Sequence, residues 1–377
     1  MKRVLLTATV QSHICQFHRP LVRMLHAKGY EVHVAARNNL AEKNGLKLDF
    51  VDKVFDIPFS RSPLSKDNIK AYKCLKTILK NEHYDVIHCN TPMGGVVTRL
   101  AANAYRKSGT IVVYTAHGFH FYKGSSLSSW LIYYPIEYVL GKLFTDKLIT
   151  VSNDDFQLAK RKGLCNKVFR IHGVGINEKK YHIYSDEEVC NRRKELNLLE
   201  EDFVGICTGE LNKNKRQILV INALPQIVKE VPNFKMMFAG NGAEHDVLQA
   251  RITELGMDEF AKMIGYCPNL QDYVKVADFA ISASKREGMP MNLLEAMSCE
   301  KPVIGSINRG HKEYIEDGVN GFLVDEDNIS DKIADRIIYL AKDKTLYRRL
   351  SKQAIQTAEA YKESQVEKEL FNIYFEN

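Results

Sequence analysis

Short apolar, β-branched segments alternate with helix-sized intervals along the whole chain, and this alternation constrains the fold more than any other feature. In the first half the strand candidates are residues 4–10, 31–36, 85–89, 111–115, 147–151 and 168–172. In the second half they are residues 203–209, 234–239, 277–283, 302–305 and 321–324. Strands separated by helix-sized intervals indicate parallel sheets with helices on both faces. The two series predict an α/β protein with two Rossmann-like domains that face each other across a cleft.

The domain boundary is expected near residue 175, where Gly173 and Gly175 precede a charged stretch. This divides the 377 residues into a first domain of residues 1–175 and a second of residues 176–360. Each part is long enough to bury a hydrophobic core of its own. Because ligands of open α/β sheets bind at the carboxyl ends of the strands, we expect the functional site between the two domains.

The net charge of +7 conceals a strong asymmetry. Residues 1–175 carry 26 Lys and Arg against 12 Asp and Glu, a net charge of +14, whereas the remainder carries a net charge of −7. A basic half suggests an anionic lipid, a nucleic acid or a phosphorylated substrate as partner. A solvated, lysine-rich surface is an equally good interpretation from charge alone.

Composition narrows the cellular setting. No segment reaches the roughly 18 uncharged apolar residues of a membrane span, and the apolar run at the start is too short for a signal peptide. The eight cysteines are scattered without a Cys-x-x-Cys pair, which argues against a zinc site or a disulfide framework. A reducing cytoplasm is the expected location.

The segment "SKREGMPMNLLEAMS", residues 284–298, combines charge and turn chemistry. Pro290 suits the first position of a helix, and Gly288 lets the preceding loop approach a ligand closely. The first-turn N–H groups then form an anion site that matches a diphosphate. These groups belong to Met291, Asn292 and Leu293.

Glu287 lies before this helix and Glu295 lies more than one turn inside it, so the two carboxylates contact different parts of one ligand. Carboxylates accept hydrogen bonds from neighbouring sugar hydroxyls. A diphosphate between two such groups describes a nucleotide-sugar, with Glu287 on the transferred sugar and Glu295 on the ribose. The alternative is a solvated Glu287 and a Glu295 that only stabilises the helix.

This segment resembles the "EGxPxxxxE" motif of the family 4 glycosyltransferases, which are retaining enzymes of the GT-B fold. The segments "FAGNGAEHD", "GYCPNLQDYVKVADF" and "CEKPVIGSINRGHKEYIEDGVNGFLV" extend the resemblance over most of residues 200–330, and "TAHGFH" and "DKLITVSN" match more loosely. The resemblance implies work on bacterial capsule, exopolysaccharide or lipopolysaccharide assembly. It also implies that residues 361–377 form a terminal helix that crosses back to the first domain.

The resemblance assigns roles to further residues. Lys215, in "GELNKNKRQ", stands where the family has a diphosphate-binding lysine, and His117 where it has a histidine that contacts the transferred sugar. Glu287, His117 and Lys215 are therefore the expected catalytic residues. The expected donor-binding residues are Glu295, Gly288, Met289, Pro290, Met291, Asn292, Leu293, Arg309, Tyr266 and Gly240.

Two departures from the family pattern bear on this site. Glu210 replaces an arginine beside the diphosphate, and we expect Arg309 or Arg216 to supply the missing positive charge. The first loop, "TATVQSHICQFHRP", lacks the family's glycines and suggests a surface shaped for the acceptor, with His13 and His18 on that side. A structural role is the alternative for both histidines, and also for His120, which lies between aromatic residues.

No metal or other cofactor is expected. The "DED" at residues 325–327 imitates a metal-binding motif of a different glycosyltransferase fold, but its position before a helix favours an N-cap. The diphosphate then depends on Lys215, an arginine and the helix dipole for charge stabilisation.

The expected partners are a nucleotide-sugar, with a uridine diphosphate carrier by family habit, and a polyprenyl-linked or oligosaccharide acceptor. The aromatic-rich segment 127–144 is interpreted as a core helix, or alternatively as a surface that docks at an anionic membrane together with the basic first domain. The second interpretation predicts a cytoplasmic protein that is peripheral at the inner face of the membrane.

Three other functions were weighed. A nicotinamide-dependent dehydrogenase requires a Gly-x-Gly-x-x-Gly after the first strand, and this is absent. A nucleic-acid binder explains the basic half but not the second domain. A catalytically silent homologue that acts as a scaffold in a polysaccharide assembly complex is supported by Glu210 and by the glycine-free first loop.

Overall fold

Parallel strands form one sheet in each of two compact units. The computed structural model describes residues 1–42 and 45–376. The first unit comprises Met1–Gly175 together with Ser364–Asn377, and the second comprises Ile176–Glu363.

The sheet of the first unit has seven strands in the order β3-β2-β1-β4-β5-β6-β7. The strands are β1 (Lys2–Val10), β2 (Tyr30–Arg37), β3 (Lys53–Asp56), β4 (Val86–Asn90), β5 (Ile111–Ala116), β6 (Lys147–Thr150) and β7 (Val168–Arg170). The helices are α1 (Gln11–Phe17), α2 (Arg19–Ala27), α3 (Asp67–Asn81), α4 (Pro92–Arg106), α5 (Leu127–Phe144) and α6 (Asn153–Lys162), with a 3₁₀ turn at Leu40–Glu42.

Helix α6 shows how the sequence sets these limits. The Ser152 side chain accepts a hydrogen bond from the N–H of Asp155, and Gly163 ends the helix in the left-handed conformation. Acidic residues occupy its first turn and basic residues its last, which complements the helix dipole.

The second unit has a six-stranded sheet in the order β10-β9-β8-β11-β12-β13. Its strands are β8 (Phe203–Thr208), β9 (Phe234–Ala239), β10 (Ala261–Gly265), β11 (Phe279–Ser282), β12 (Val303–Ser306) and β13 (Gly321–Val324). Its helices are α7 (Asp186–Glu195), α8 (Gln217–Glu230), α9 (His245–Glu254), α10 (Leu270–Val276), α11 (Met291–Ser298), α12 (Ile329–Lys342) and α13 (Lys344–Glu359), with a 3₁₀ turn at His311–Glu313.

Helices cover both faces of the second sheet, because successive strand residues point to opposite sides. Phe279 packs with apolar residues of α8 and α12 on one face. The next residue, Ala280, packs with α11 and α13 on the other. Parallel strands that are buried on both faces read as continuous apolar runs, which is why the sequence reveals them.

Both sheets have the Rossmann strand order, in which the direction of strand addition reverses once. The reversal falls between β1 and β4 in the first unit and between β8 and β11 in the second. The predicted fold class is confirmed for each unit, and every predicted strand is present. Two strands were not predicted, β3 and β10, and both lie at a sheet edge.

Helix α14 (Glu363–Phe371) and a π-helical turn at Asn372–Glu376 end the described chain. From Ser364 onward this segment belongs to the first unit, where the Tyr374 hydroxyl lies 2.6 Å from His88 Nδ1. Across the described residues, no helix combines the length and the apolar character that a membrane crossing requires.

Candidate functional site

An ion pair joins the two loops at the point where the strand order of the second sheet reverses. Lys215 lies on the loop after β8 and Glu287 on the loop after β11. The Lys215 Nζ is 2.6 Å from Glu287 Oε1, and the two side chains are 22% and 13% exposed. The loops are also tied together by the backbone, because the N–H of Lys285 donates to the carbonyl of Asn214 at 2.8 Å.

Helix α11 begins directly after Glu287 and its loop. Pro290 has an extended backbone, with φ −75° and ψ 110°, so it is the N-cap and not the first helical residue as predicted. No side chain caps this helix within the described chain. The Asn292 amide instead donates to the carbonyl of Thr208 at 3.0 Å, which fixes the helix start against the end of β8. The first-turn N–H groups therefore stay available to an anion.

Two glycines bring the surrounding loops into close contact. A Cβ added to Gly310 would lie 2.7 Å from the Cβ of Glu287 and 2.9 Å from the carbonyl oxygen of Gly288. A Cβ added to Gly240 would lie 2.0 Å from the carbonyl oxygen of Gly209. A side chain at either position would clash with these atoms, so glycine is required at both. Arg309 directly precedes Gly310 and therefore lies on the loop that packs against Glu287.

Two arginines were predicted to offset the charge of Glu210. Arg216 forms a bidentate ion pair with Glu326, with distances of 2.6 and 3.0 Å, and its Nε donates to the carbonyl of Ala283. Its charge is thus already matched. The side chain of Glu210 is exposed to solvent, and the role of Arg309 stays a prediction.

Glu295 lies inside α11 and is largely withdrawn from water. Burial raises the pKa of its carboxyl to about 7, against a hydrogen bond from Tyr181 and the charge of Lys180, which both lower it. A carboxyl with this pKa exchanges a proton near neutral pH. The Tyr181 partner was not predicted from the sequence.

Tyr266, one of the predicted donor-binding residues, lies on the loop after β10 and is 53% exposed. The N–H of Gly240 donates to the carbonyl of Gly265 at 2.8 Å, so the loops after β9 and β10 are adjacent. Met289 is half-buried and Gly288 is exposed. The structure thus places these predicted donor-site residues on loops at the carboxyl edge of one sheet.

His311 was missed by the sequence analysis. It is fully buried beneath the loop that carries Gly310, with its Nδ1 2.7 Å from the carbonyl oxygen of Ser306. Burial lowers the pKa of its imidazole to about 4, although the Ser306 carbonyl and Glu287 act in the opposite direction. No sequence signal distinguishes it from a surface histidine, because its burial depends on the packing of β12.

In the first unit the predicted histidines come together at the carboxyl edge of the sheet. We call His13, His18 and His117 the histidine cluster. Each offers a ring nitrogen, and these atoms lie within 4.8 Å of one another. The Nε2 atoms of His13 and His117 are 3.3 Å apart, and the second lies 3.2 Å from the Asn90 Oδ1 at the end of β4.

Burial lowers the pKa of all three members of the histidine cluster, to about 4 for His117 and well below 6.5 for the other two. The rings are therefore neutral at pH 7 and can both donate and accept hydrogen bonds to uncharged hydroxyls. His120 lies apart from them and stacks on Tyr133 at 4.6 Å between ring centroids.

Comparison with known proteins identifies the family. The description "Glycosyltransferase Family 4" matches residues 19–177, and "Glycosyl transferases group 1" matches residues 190–357. The chain is 38% identical over 378 residues to EpsD of Bacillus subtilis (strain 168), which is named as a glycosyltransferase, with 99% of this chain and 96% of EpsD covered. The chain belongs to glycosyltransferase family 4.

Two further similarities agree. This glycosyltransferase is 25% identical over 324 residues to the UDP-Gal:alpha-D-GlcNAc-diphosphoundecaprenol alpha-1,3-galactosyltransferase of Escherichia coli, with 82% of this chain and 81% of that protein covered. Its fold is similar to that of Anabaena HepE in complex with UDP, with a TM-score of 0.79, 22% identity and full coverage of both chains. The GT-B class is thereby confirmed.

The N-cap predicted at the "DED" segment, residues 325–327, is wrong. The "DED" segment provides no N-cap for α12, because Asn328 occupies that position. Asp325 instead pairs with Lys332, and Glu326 with Arg216. The carboxylates of Asp325 and Glu326 thus pair with basic side chains elsewhere in the chain, and the sequence does not reveal these pairs.

Helix α5 is not a core helix. Only Leu140 and Gly141 are buried on it, whereas six of its aliphatic side chains are more than 40% exposed. These are Leu127, Leu131, Ile132, Ile136, Val139 and Leu143. The sequence left a core helix and an exposed surface open for this segment, and the fold shows that much of its apolar surface is uncovered.

Proposed function

We propose that this glycosyltransferase is a retaining, metal-independent enzyme that transfers a sugar from a uridine diphosphate carrier to a lipid-linked acceptor. The product would enter an exopolysaccharide or a related cell-surface polysaccharide. The observation that carries the proposal is the Lys215–Glu287 pair beside the uncapped start of α11. A cation, free N–H groups and a carboxylate each match one part of a nucleotide-sugar.

The positive charge of Lys215 and the dipole of α11 favour the departure of a diphosphate leaving group. Lys215 and the start of α11 would stabilise the negative charge that develops on the leaving group. Glu287 would accept hydrogen bonds from hydroxyls of the transferred sugar. Because Lys215 and Glu287 pair with each other before the donor arrives, the diphosphate has to take the lysine from the carboxylate.

The anomeric configuration of the transferred sugar is retained if the old bond at C1 breaks and the new bond forms on the same face of the ring. The bond from the sugar C1 to the diphosphate breaks, the acceptor oxygen bonds to C1 on the same face, and the acceptor proton passes to a phosphate oxygen. No step needs a metal ion or a covalent intermediate with the protein. His117 would contact the transferred sugar, as predicted from the family resemblance.

Two comparisons support the choice of donor and acceptor. The Escherichia coli relative is named for a UDP-Gal donor, a diphosphoundecaprenol-linked acceptor and an α-1,3 linkage. HepE was crystallised with UDP. Both favour a uridine carrier here, and the first also favours a lipid-linked acceptor.

The first unit is proposed to associate with the inner face of an anionic membrane. Residues 1–175 carry a net charge of +14, and α5 exposes aliphatic side chains along its length. Basic charge combined with exposed apolar residues is the pattern of interfacial binding. Co-sedimentation with anionic vesicles that weakens as salt increases is expected, and equal binding to neutral vesicles would contradict it.

The donor site is tested by calorimetric titration without added metal. UDP, GDP, ADP and NAD are titrated into the wild-type protein and into Glu295→Ala. We expect tight binding of UDP alone, weakened by the substitution because Glu295 is assigned to the ribose. Binding of NAD alone would overturn the proposal, and binding of none of the four would leave only a non-catalytic role.

A further inference from the structure

A large apolar cavity lies in the first unit, at the carboxyl ends of β1, β4 and β5. Its volume is about 690 Å³, within the range of roughly 300–1,000 Å³ that is usual for ligand pockets. Its apolar wall comes from helices α1, α4 and α5 and from the loop after β5. The wall includes Phe17, Met93, Val96, Phe119, Ile132 and Ile136.

The cavity continues onto the protein surface. Four of the exposed aliphatic residues of α5 recur every three or four positions, so they form one stripe over roughly 17 Å of the helix. We call these four residues, Ile132, Ile136, Val139 and Leu143, the α5 stripe. Ile132 and Ile136 belong both to the stripe and to the cavity wall, and they are 55% and 43% exposed. A ligand in the cavity can therefore extend along the stripe.

The lining also contains a polar part. Arg61 and His13 both line the cavity, and the guanidinium is close enough to act electrostatically on the imidazole. Within residues 1–42 and 45–376, no side chain forms an ion pair with Arg61. An anionic group would be complementary to this cation.

The lining also contains the carboxylate of Glu137, but its negative charge does not repel a bound anion. Glu137 forms a two-bond ion pair with the fully buried Arg99, at 2.9 and 3.1 Å. The Arg99 guanidinium also lies over the ring of Tyr114, 3.9 Å from its centroid. The negative charge of Glu137 is thus compensated inside the protein.

These features specify an amphipathic anion with a long apolar chain. A free saccharide could form hydrogen bonds with Ser12, Gln16 and Thr91 in the lining, but its other hydroxyls would lie against the apolar wall without partners, which is unfavourable. A protein surface would cover the α5 stripe but would leave the concave cavity unfilled. An isoprenoid chain fills the cavity and follows the stripe, and its diphosphate matches Arg61.

We propose that the cavity binds the isoprenoid units next to the diphosphate of a polyprenyl-diphosphate-linked acceptor, and that the α5 stripe guides the rest of the chain into the membrane. This inference rests on the proposed function and deepens it by placing the acceptor lipid. The histidine cluster member His13 lines the same cavity, so the saccharide would be presented beside the predicted acceptor residues.

The protein carries its own reporter for the test. Trp130 is the single tryptophan of the chain, and its ring centroid lies 5.4 Å from that of Phe121, which lines the cavity. The probes are farnesyl diphosphate, geranyl diphosphate and inorganic diphosphate. We expect a saturable change in tryptophan emission, with farnesyl diphosphate binding at least 10-fold more tightly than inorganic diphosphate and geranyl diphosphate in between.

Two variants locate the binding. Val96→Phe fills the cavity, and Ile132→Gln makes its exposed wall polar; each is expected to weaken farnesyl diphosphate binding at least 10-fold. Leu131→Gln is the matched control, because Leu131 is 68% exposed on α5 but belongs neither to the α5 stripe nor to the cavity wall. Equal affinity for the three probes, or unchanged binding in both cavity variants, would overturn the inference.

Two further measurements separate the possible failures. The UDP titration is repeated on each variant, since UDP binding is assigned to the second unit and should not change. Loss of farnesyl diphosphate binding with intact UDP binding counts for the inference, whereas a protein that binds no UDP at all contradicts the proposed function alone. A dimer that Ile132→Gln converts to a monomer would assign the stripe to a second copy of the chain and overturn the lipid assignment.

Discussion

Lys215 and Glu287 should have opposite effects on the binding of UDP, although both are expected to be essential for transfer. In the ligand-free protein they form a 2.6 Å ion pair, and both side chains are mostly buried. Lys215→Ala removes a charged hydrogen bond to the diphosphate, worth about 1.5–3 kcal/mol, which corresponds to a roughly 10- to 150-fold weaker affinity. Glu287→Gln instead frees the lysine and removes a negative charge. At a separation of about 8 Å and an effective dielectric constant of about 20, that charge repels one unit of phosphate charge by about 2 kcal/mol.

The assay is calorimetric titration of UDP into the wild-type protein, the two single variants and the double variant, with sugar transfer measured in parallel. Glu287→Gln should bind UDP more tightly, by up to about 30-fold, while losing transfer. Lys213→Ala is the matched control, since it removes an exposed lysine two positions away on the same loop. The reasoning is refuted if Glu287→Gln weakens UDP binding as much as Lys215→Ala does, or if Lys213→Ala has an effect of the same size.

Three shorter predictions concern other parts of the protein. The pKa of Glu295 is raised from 4.5 to about 7, so the folded protein holds a proton that the unfolded chain releases, and stability is lost as the pH rises through this interval. Glu295→Gln should therefore gain stability relative to wild type between pH 5 and pH 8, by about 2.5 kcal/mol in urea unfolding, and a difference independent of pH would contradict this. Gly310→Ala should reduce the rate of sugar transfer more than 10-fold, because the added Cβ displaces Glu287. Full activity in a normally folded variant would show that the loop can shift to accept the methyl group without moving Glu287. Removal of metal ions with a chelator should leave the rate of sugar transfer unchanged. If chelation instead lowered the rate, and added zinc restored it in the wild-type protein but not in His18→Ala, a metal would be placed in the histidine cluster.

The sequence predicted the sheets well because their central strands are buried on both faces and read as apolar runs. The two strands that the sequence did not predict, β3 and β10, lie at the sheet edges and carry charged residues such as Lys53 and Lys262. An edge strand is half exposed, so its composition resembles that of a loop. Helix α5 shows the opposite difficulty, since its apolar composition fitted both a core helix and an exposed surface, and the sequence did not decide between them.

The proximity of Lys215 and Glu287 could be predicted because it depends on position along the chain. Lys215 and Glu287 each follow a strand, and parallel strands bring their carboxyl ends to one edge. Long-range partners left no such signal. The Arg99–Glu137 pair spans 38 positions and joins two helices, and His311 lies near the Lys215–Glu287 pair only because β12 buries it.

The central claim is that this chain moves a sugar from a UDP carrier to a lipid, and one measurement tests it most directly. A panel of radiolabelled UDP-sugars is incubated, without metal, with the wild-type protein and a polyprenyl-diphosphate-linked saccharide, and label is counted in the lipid extract. We predict that one sugar enters the lipid fraction in an α-linkage, and that Lys215→Ala abolishes the incorporation. Tight UDP binding with no label transferred from any donor would contradict the account and would favour a scaffold role.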